Sequence, residues 1–175
     1  MISEKLAKAL NDQVNAEYYS AYLYFSMSAY AERLGFKGVA QWLFVQAKEE
    51  MAHGTHMFQY IIDRGAAPTF AAIAQVPESF ASIDDVFNKV LEHEKKVTAN
   101  INNIANMAMD ERDHACYEFI LWYADEQVEE EANAEEIIGK LKMFEGNKAL
   151  LLANEGIFTS REYKNPFPGD AKLSG

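Results

Sequence analysis

The sequence predicts an all-α protein, a four-helix bundle with one long crossover between the second and third helices and a short fifth helix. The four prolines stand in two places, at positions 68 and 77 and at 166 and 168, so the long stretches around them contain no residue that breaks a helix. Apolar residues recur in these stretches at the three-to-four spacing of a helix, and no stretch alternates apolar and polar residues as a strand does.

Glycines mark where the predicted helices end. Gly35 and Gly38 separate the first two helices, Gly65 follows the second, and Gly146 follows the fourth. The predicted helices cover residues 5 to 33, 38 to 65, 82 to 109, 113 to 144 and 147 to 155. We divide the chain into a helical domain over residues 1–157 and a C-terminal tail over 158–175, whose two prolines argue against helix.

The connection over residues 66 to 81 determines the topology. Fully extended, it spans up to roughly 50 Å at ~3.3 Å per residue, whereas a helix of about 28 residues is only ~42 Å long. The connection can therefore run the full length of a bundle and leave the second and third helices parallel. A tight turn needs far fewer residues.

Each long helix carries a carboxylate near the middle of its apolar face. On the third helix, Glu94 interrupts a face made of Ile83, Phe87, Val90, Val97, Ile101, Ile104 and Ala108. Glu17 interrupts the face of the first helix, Glu50 that of the second with His53 one turn on, and Glu130 that of the fourth beside Gln127. Counting residues from the turns places the four carboxylates at one height in the bundle.

Four carboxylates at one height predict a metal centre. A single buried acid is usually paired, but these faces carry no lysine or arginine at that level, and like charges so close repel each other. Bound cations would compensate them, and oxygen ligands with one imidazole suit iron, manganese or zinc. A buried polar network, or a role in folding alone, is the alternative.

Composition restricts the possible partners. The 175 residues suit one domain, and 16 basic against 27 acidic residues give a net charge of −11, which disfavours nucleic acid and favours cations. The one cysteine cannot form an intramolecular disulfide. We expect a cytoplasmic protein with no membrane partner, because we find no signal-peptide pattern and no apolar run of ~18 residues.

The sequence resembles the bacterial non-haem ferritins of the ferritin-like superfamily over residues 1 to about 157. The motifs that carry the resemblance are Asn15-Ala16-Glu17-Tyr18-Tyr19-Ser20 with Tyr24, Glu49-Glu50-Met51-Ala52-His53, Glu92-His93-Glu94, and the ten residues from Trp122 to Glu131 that read WYADEQVEEE. Together these motifs are specific for that family. The three Leu residues at 150 to 152 resemble the segment at the four-fold axes of 24-subunit ferritins.

The resemblance implies iron storage with a ferroxidase activity. Fe²⁺ would be oxidised to Fe³⁺ by O₂ or H₂O₂ at a di-iron centre, and ferric oxyhydroxide mineral would form inside a hollow homo-oligomeric shell of 24 subunits. Glu17, Glu50 and His53 would hold the first iron, and Glu50 would bridge to a second iron held by Glu94 and Glu130.

The resemblance also implies a possible third iron site and two orienting residues. Tyr24 and Gln127 match positions that orient ligands or dioxygen, and the spacing of Gln127 from Glu130 lets both face one metal pair, so Gln127 is also a candidate ligand. The residues that match the third site are Glu49, Glu126, Glu129 and Glu130.

Four other classes of protein are alternatives to a non-haem ferritin. A rubrerythrin-like di-metal oxidase or peroxidase usually has an electron-donor module, and the chain has no Cys-x-x-Cys pair for one. A bacterioferritin-type haem protein is disfavoured because Gln127 and Glu130 stand where those proteins carry a second Glu-x-x-His, so we expect no haem, although Met51 lies at the haem-ligand position. A DNA-protecting mini-ferritin and a metal-free helical binding bundle are further alternatives.

Overall fold

The computed structural model describes residues 1–144, 146–159 and 161–168, and no strand occurs in those residues. The helices are α1 (Glu4–Arg33), α2 (Lys37–Asp63), α3 (Ile83–Asp110), α4 (His114–Lys142), α5 (Lys148–Ala153) and α6 (Gly156–Thr159). The predicted all-α class and the four long helices are confirmed. The predicted fifth helix is present as α5, and the unpredicted α6 follows it and crosses into the predicted tail. Ser160 and Gly169 to Gly175 of that tail lie outside the described residues.

The first two helices begin and end at residues suited to those positions. The Ser3 hydroxyl accepts a hydrogen bond from the Leu6 N–H at 3.1 Å, which caps the start of α1. Gly35 and Gly65 follow the ends of α1 and α2 with φ of 85° and 77°, in the left-handed region that glycine adopts without strain. These glycines let the chain reverse after each helix.

Neighbouring helices run antiparallel. The Ile2 N–H donates to the Arg64 carbonyl at 3.2 Å, and the Ser28 hydroxyl donates to the Ala40 carbonyl at 2.8 Å, so the start of α1 lies at the end of α2. Helix α3 also runs opposite to α1 and to α4, because the start of α3 shares an apolar cluster with the ends of α1 and α4. Helices α2 and α3 are therefore parallel, as the long connection predicts.

The crossover follows α1 toward its C-terminal end. The Asn15 side chain donates to the Ala71 carbonyl at 3.2 Å, and Arg33 donates to the Glu78 carbonyl at 2.8 Å. These bonds connect successive parts of the crossover to successive turns of α1. They satisfy backbone carbonyls that have no partner in a helix.

Two apolar clusters fill the two ends of the bundle. One is built around Met27, Leu43 and Phe87, and the other around Leu10 and Ile101. Between them lies a layer of buried polar side chains that includes Gln13, Glu17, Gln46, Glu50, His53, Glu94, Gln127 and Glu130. Among the described residues, no helix has the length and apolar character needed to cross a bilayer.

Candidate metal centre

Three of the predicted ligands come together in the middle of the bundle. Glu17 on α1 and Glu50 and His53 on α2 each offer one ligand atom, and these atoms lie within 4.8 Å of one another. The three residues are 1%, 3% and 3% exposed. Because metal–ligand bonds to oxygen and nitrogen measure about 2.0–2.2 Å, this separation is close to what one shared cation requires.

The imidazole of His53 is available as a ligand. Its Nδ1 lies 3.6 Å from Glu50 Oε2, and its buried Nε2 has no hydrogen-bond partner among the described residues. A buried nitrogen without a partner costs free energy. Nδ1 is the nitrogen that faces the Glu50 carboxylate, so it is the ring atom placed to share a cation with that carboxylate.

Glu94 on α3 is held by two donors. The Tyr24 hydroxyl donates to Glu94 Oε1, and Gln127 Nε2 lies 3.1 Å from Glu94 Oε2. Gln127 also lies 3.2 Å from the Glu94 backbone carbonyl. The structure thus places both predicted orienting residues on a predicted ligand.

Glu130 on α4 is joined to α2 by a residue that the sequence did not indicate. Gln46 Nε2 donates to Glu130 Oε2 at 2.7 Å and reaches Glu50 Oε1 at 3.4 Å. Gln13 likewise donates to Glu17 Oε1 at 2.8 Å. Each of these glutamines lies four residues before the carboxylate on its own helix, and this spacing is the signal that could have revealed them.

Burial and mutual repulsion favour the neutral form of the carboxyls. Burial is the main cause that raises the pKa of Glu17 and Glu50 well above the usual value, and neighbouring carboxylates add to it. Burial also raises the pKa of Glu94. The pKa of Glu130 is raised to about 8, by burial and then by the charge of Glu94. A bound cation would reverse this balance, because it stabilises the ionised carboxylates.

Three of the four residues predicted for a third iron lie in more exposed positions than Glu17, Glu50 and His53. Glu49 is ion-paired with Arg161, which comes from the C-terminal segment. Burial raises the pKa of Glu49, while the Arg161 guanidinium acts to lower it. Glu126 is half-buried and Glu129 is exposed on α4. No feature of the sequence indicated that Arg161 would reach this position.

The remaining histidines lie outside the Glu17, Glu50 and His53 group. His56 Nδ1 is 2.9 Å from the Tyr123 hydroxyl. His93 Nε2 is 2.7 Å from the Ser20 hydroxyl, and burial lowers the pKa of His93 to about 4. His114 is exposed in the first turn of α4.

A bundle with parallel α2 and α3 and carboxylates from all four long helices at its centre defines the class of ferritin-like metal-binding proteins. The model of that family, described as the ferritin-like domain, matches residues 7–144. The chain therefore belongs to the ferritin family, in which it falls with the bacterial non-haem ferritins.

Individual relatives cover most of the chain. A bacterial non-heme ferritin of Bacteroides fragilis is 44% identical over 142 residues, which is 81% of this chain and 89% of the relative. One of Staphylococcus aureus is 39% identical over 160 residues, 91% of this chain and 96% of the relative. The crystal structure of an open-pore ferritin from Archaeoglobus fulgidus superposes with a TM-score of 0.90 at 43% identity, covering 92% and 98% of the two chains. The family supports a role in iron storage.

Proposed function

We propose that the protein is a ferroxidase that oxidises Fe²⁺ to Fe³⁺ with O₂ or H₂O₂ and stores the product as ferric oxyhydroxide. The observation that carries this proposal is the buried group of Glu17, Glu50 and His53, whose ligand atoms lie within 4.8 Å of one another. Two carboxylates and an imidazole are a donor set that suits iron. The family membership points to the same metal.

Glu94 and Glu130 would hold a second iron, and Glu50 would bridge the two ions. The charges of Glu94 and Glu130 both act on Glu50, and Gln46 contacts Glu50 and Glu130 together. These contacts support a two-ion centre in which Glu50 is the bridge. Glu49, Glu126, Glu129 and Glu130 are the candidates for a third ion.

The protein side chains would favour Fe²⁺ oxidation through the charge of the carboxylates and through the hydrogen bonds that position them. Carboxylates are hard ligands that stabilise Fe³⁺ more than Fe²⁺, so they favour loss of the electron. Each Fe²⁺ gives one electron, and a pair reduces O₂ to H₂O₂ with uptake of two protons. Tyr24 and Gln127 hold the Glu94 carboxylate in place through their hydrogen bonds. Hydrolysis of the Fe³⁺ product to oxyhydroxide then releases protons.

Storage requires a closed compartment, and we propose a cytoplasmic shell of 24 copies without resident haem. On α5, Leu151 is buried against the bundle, whereas Leu150 and Leu152 are 44% and 40% exposed. The exposed pair gives a neighbouring subunit an apolar surface to cover. Light scattering tests the assembly, because 24 chains of 19.8 kDa give about 475 kDa, and a mass near that of one chain would contradict the shell.

The activity is tested by adding Fe²⁺ in air to the full-length protein and following ferric absorbance. We expect the wild type to oxidise Fe²⁺ faster than buffer and Glu50→Ala to remove that difference. Glu135→Ala is the matched control, because Glu135 is an exposed acid that lies 3.9 Å from Lys95 and outside the centre. A wild type no faster than buffer, or a fully active Glu50→Ala, would refute the proposal.

A further inference from the structure

The C-terminal segment 161–168 folds back over the metal centre. Phe167 is 9% exposed, and its ring stacks on His56 with 3.7 Å between centroids. The same ring lies 4.6 Å from Trp122 and 6.1 Å from His53. The segment is therefore packed against α2 and α4 directly beside a predicted ligand.

Arg161 makes three contacts where this segment reaches α2. Its guanidinium is ion-paired with Glu49, and Nη1 donates to Gln46 Oε1 at 2.5 Å. It also lies over the Trp42 ring, 4.5 Å from the centroid. With side chains of 21% and 16% exposure, Arg161 and Glu49 form a pair largely shielded from solvent.

A short hydrogen-bonded path connects this arginine to the centre. Gln46 accepts from Arg161 through its oxygen and donates through its nitrogen to Glu130, at 2.7 Å. The charges of both Arg161 and Glu49 act on Glu130. The guanidinium thus supplies a positive charge that pairs with Glu49 and is connected to Glu130 through Gln46. Glu49 and Glu130 are two of the four residues predicted for a third iron.

We propose that Arg161 acts as a tethered cation that takes the place of a third metal ion and limits the centre to two. This inference rests on the proposed two-iron centre. Glu49 cannot pair with the guanidinium and fully coordinate a metal ion at once, and a divalent ion next to Arg161 would be repelled by it. Arg161 is in these terms a specificity-determining residue, because it decides how many ions the carboxylates accept.

The packing of Phe167 explains how the tether is maintained. An arginine on a free chain end would lose much side-chain and backbone entropy on binding Glu49. The buried Phe167 ring fixes the segment six residues further along, so less of that entropy opposes the ion pair. When the segment is displaced, Glu49 becomes available to join Glu126, Glu129 and Glu130 around a third ion.

The number of bound ions tests this inference. The assembled full-length protein is titrated with Zn²⁺, an ion that these ligand types bind without redox chemistry, and the stoichiometry is measured by calorimetry. We expect two Zn²⁺ per chain in the wild type and three in Arg161→Gln. Arg161→Lys keeps the charge and should bind two, as should Arg33→Gln, which changes an exposed arginine far from the centre.

A double variant checks which residue takes the added ion. Adding Glu49→Gln to Arg161→Gln should return the count to two, and circular dichroism with light scattering confirms that each variant folds and assembles. Equal counts in wild type and Arg161→Gln, or three ions in the wild type, would overturn the inference. If Arg161→Gln gains an ion while the wild type oxidises Fe²⁺ no faster than buffer, the proposed activity fails and the role of Arg161 stands.

Discussion

Replacing Glu130 by glutamine should stabilise the metal-free protein while it slows Fe²⁺ oxidation. Glu130 is 4% exposed, and its pKa rises from 4.5 to about 8 in the folded state. The unfolded chain carries this carboxyl ionised at neutral pH, so folding must take up a proton. Glutamine retains an oxygen that can accept from Gln46 but has no proton to take up.

The expected gain follows from the two pKa values. The pKa of this carboxyl in the unfolded chain is 4.5, so pH 7 is about 2.5 pH units above it. Protonating the carboxyl on folding therefore lowers the free energy of unfolding by about 3 kcal/mol. The folded state binds more protons than the unfolded state between pH 4.5 and about 8, so wild-type stability falls as pH rises through that window. The advantage of Glu130→Gln therefore grows toward pH 8 and vanishes near 4.5.

Thermal unfolding in a metal chelator measures this difference. For a chain of this size, about 3 kcal/mol raises Tm by roughly 6 to 12 °C, and we expect that rise near neutral pH and a much smaller one at about pH 5. Glu129→Gln changes an exposed acid on the same helix and should leave Tm unchanged. Added Zn²⁺ should stabilise the wild type more than Glu130→Gln. A variant that melts at or below the wild type near pH 7, or a difference that does not shrink in acid, would refute the reasoning.

Two other substitutions test separate parts of the structure. Tyr24→Phe removes the hydroxyl that donates to Glu94 and should slow Fe²⁺ oxidation by about 10-fold; stopped-flow absorbance measures this, and an unchanged rate would contradict the positioning role. Asp113→Ala removes the cap on the Cys116 N–H and the ion pair with Arg64, so denaturant titration should show a loss of about 1–2 kcal/mol. Because the Arg64 hydrogen bond lowers the pKa of Asp113 below 3.8, this loss should persist down to about that pH and disappear as the folded-state carboxyl protonates. An equal loss at all pH values would argue against the ionised side chain as its source.

Helix periodicity was sufficient to predict the long helices and their buried faces. Every residue of the predicted α3 face from Ile83 to Ala108 is buried, because a regular spacing of apolar residues in a long helix has one packing solution. Helix α6 was not predicted. Its four residues, Gly156–Thr159, are too few to show a period, and Gly156 resembles the end of a helix rather than the start of one.

The centre was predictable to the extent that it depends on helix geometry. Glu50 and His53 lie one turn apart on α2, so their sequence spacing alone places them on one side of the helix. Counting residues from the turns predicted Glu17 at the same height on α1, and the structure brings its ligand atom within 4.8 Å of theirs. Arg161 and Phe167 could not be predicted in the same way. Their contacts depend on the path of an irregular segment, and no repeating spacing in the sequence determines such a path.

The position of the centre explains how the bundle tolerates its own charge. The polar layer separates the two apolar clusters, so the buried carboxyls remove packing only from the middle of each helix, while Leu10 and Phe87 lie in intact cores on either side. Each long helix passes through both clusters and is fixed above and below its carboxylate. The candidate ligands are thus held in place without a cation, and a cation that binds there would stabilise the ionised carboxylates that burial and mutual repulsion disfavour. Arg161 adds one positive charge that is paired with Glu49 rather than with the group of Glu17, Glu50 and His53, and this charge offsets part of the repulsion among the carboxylates.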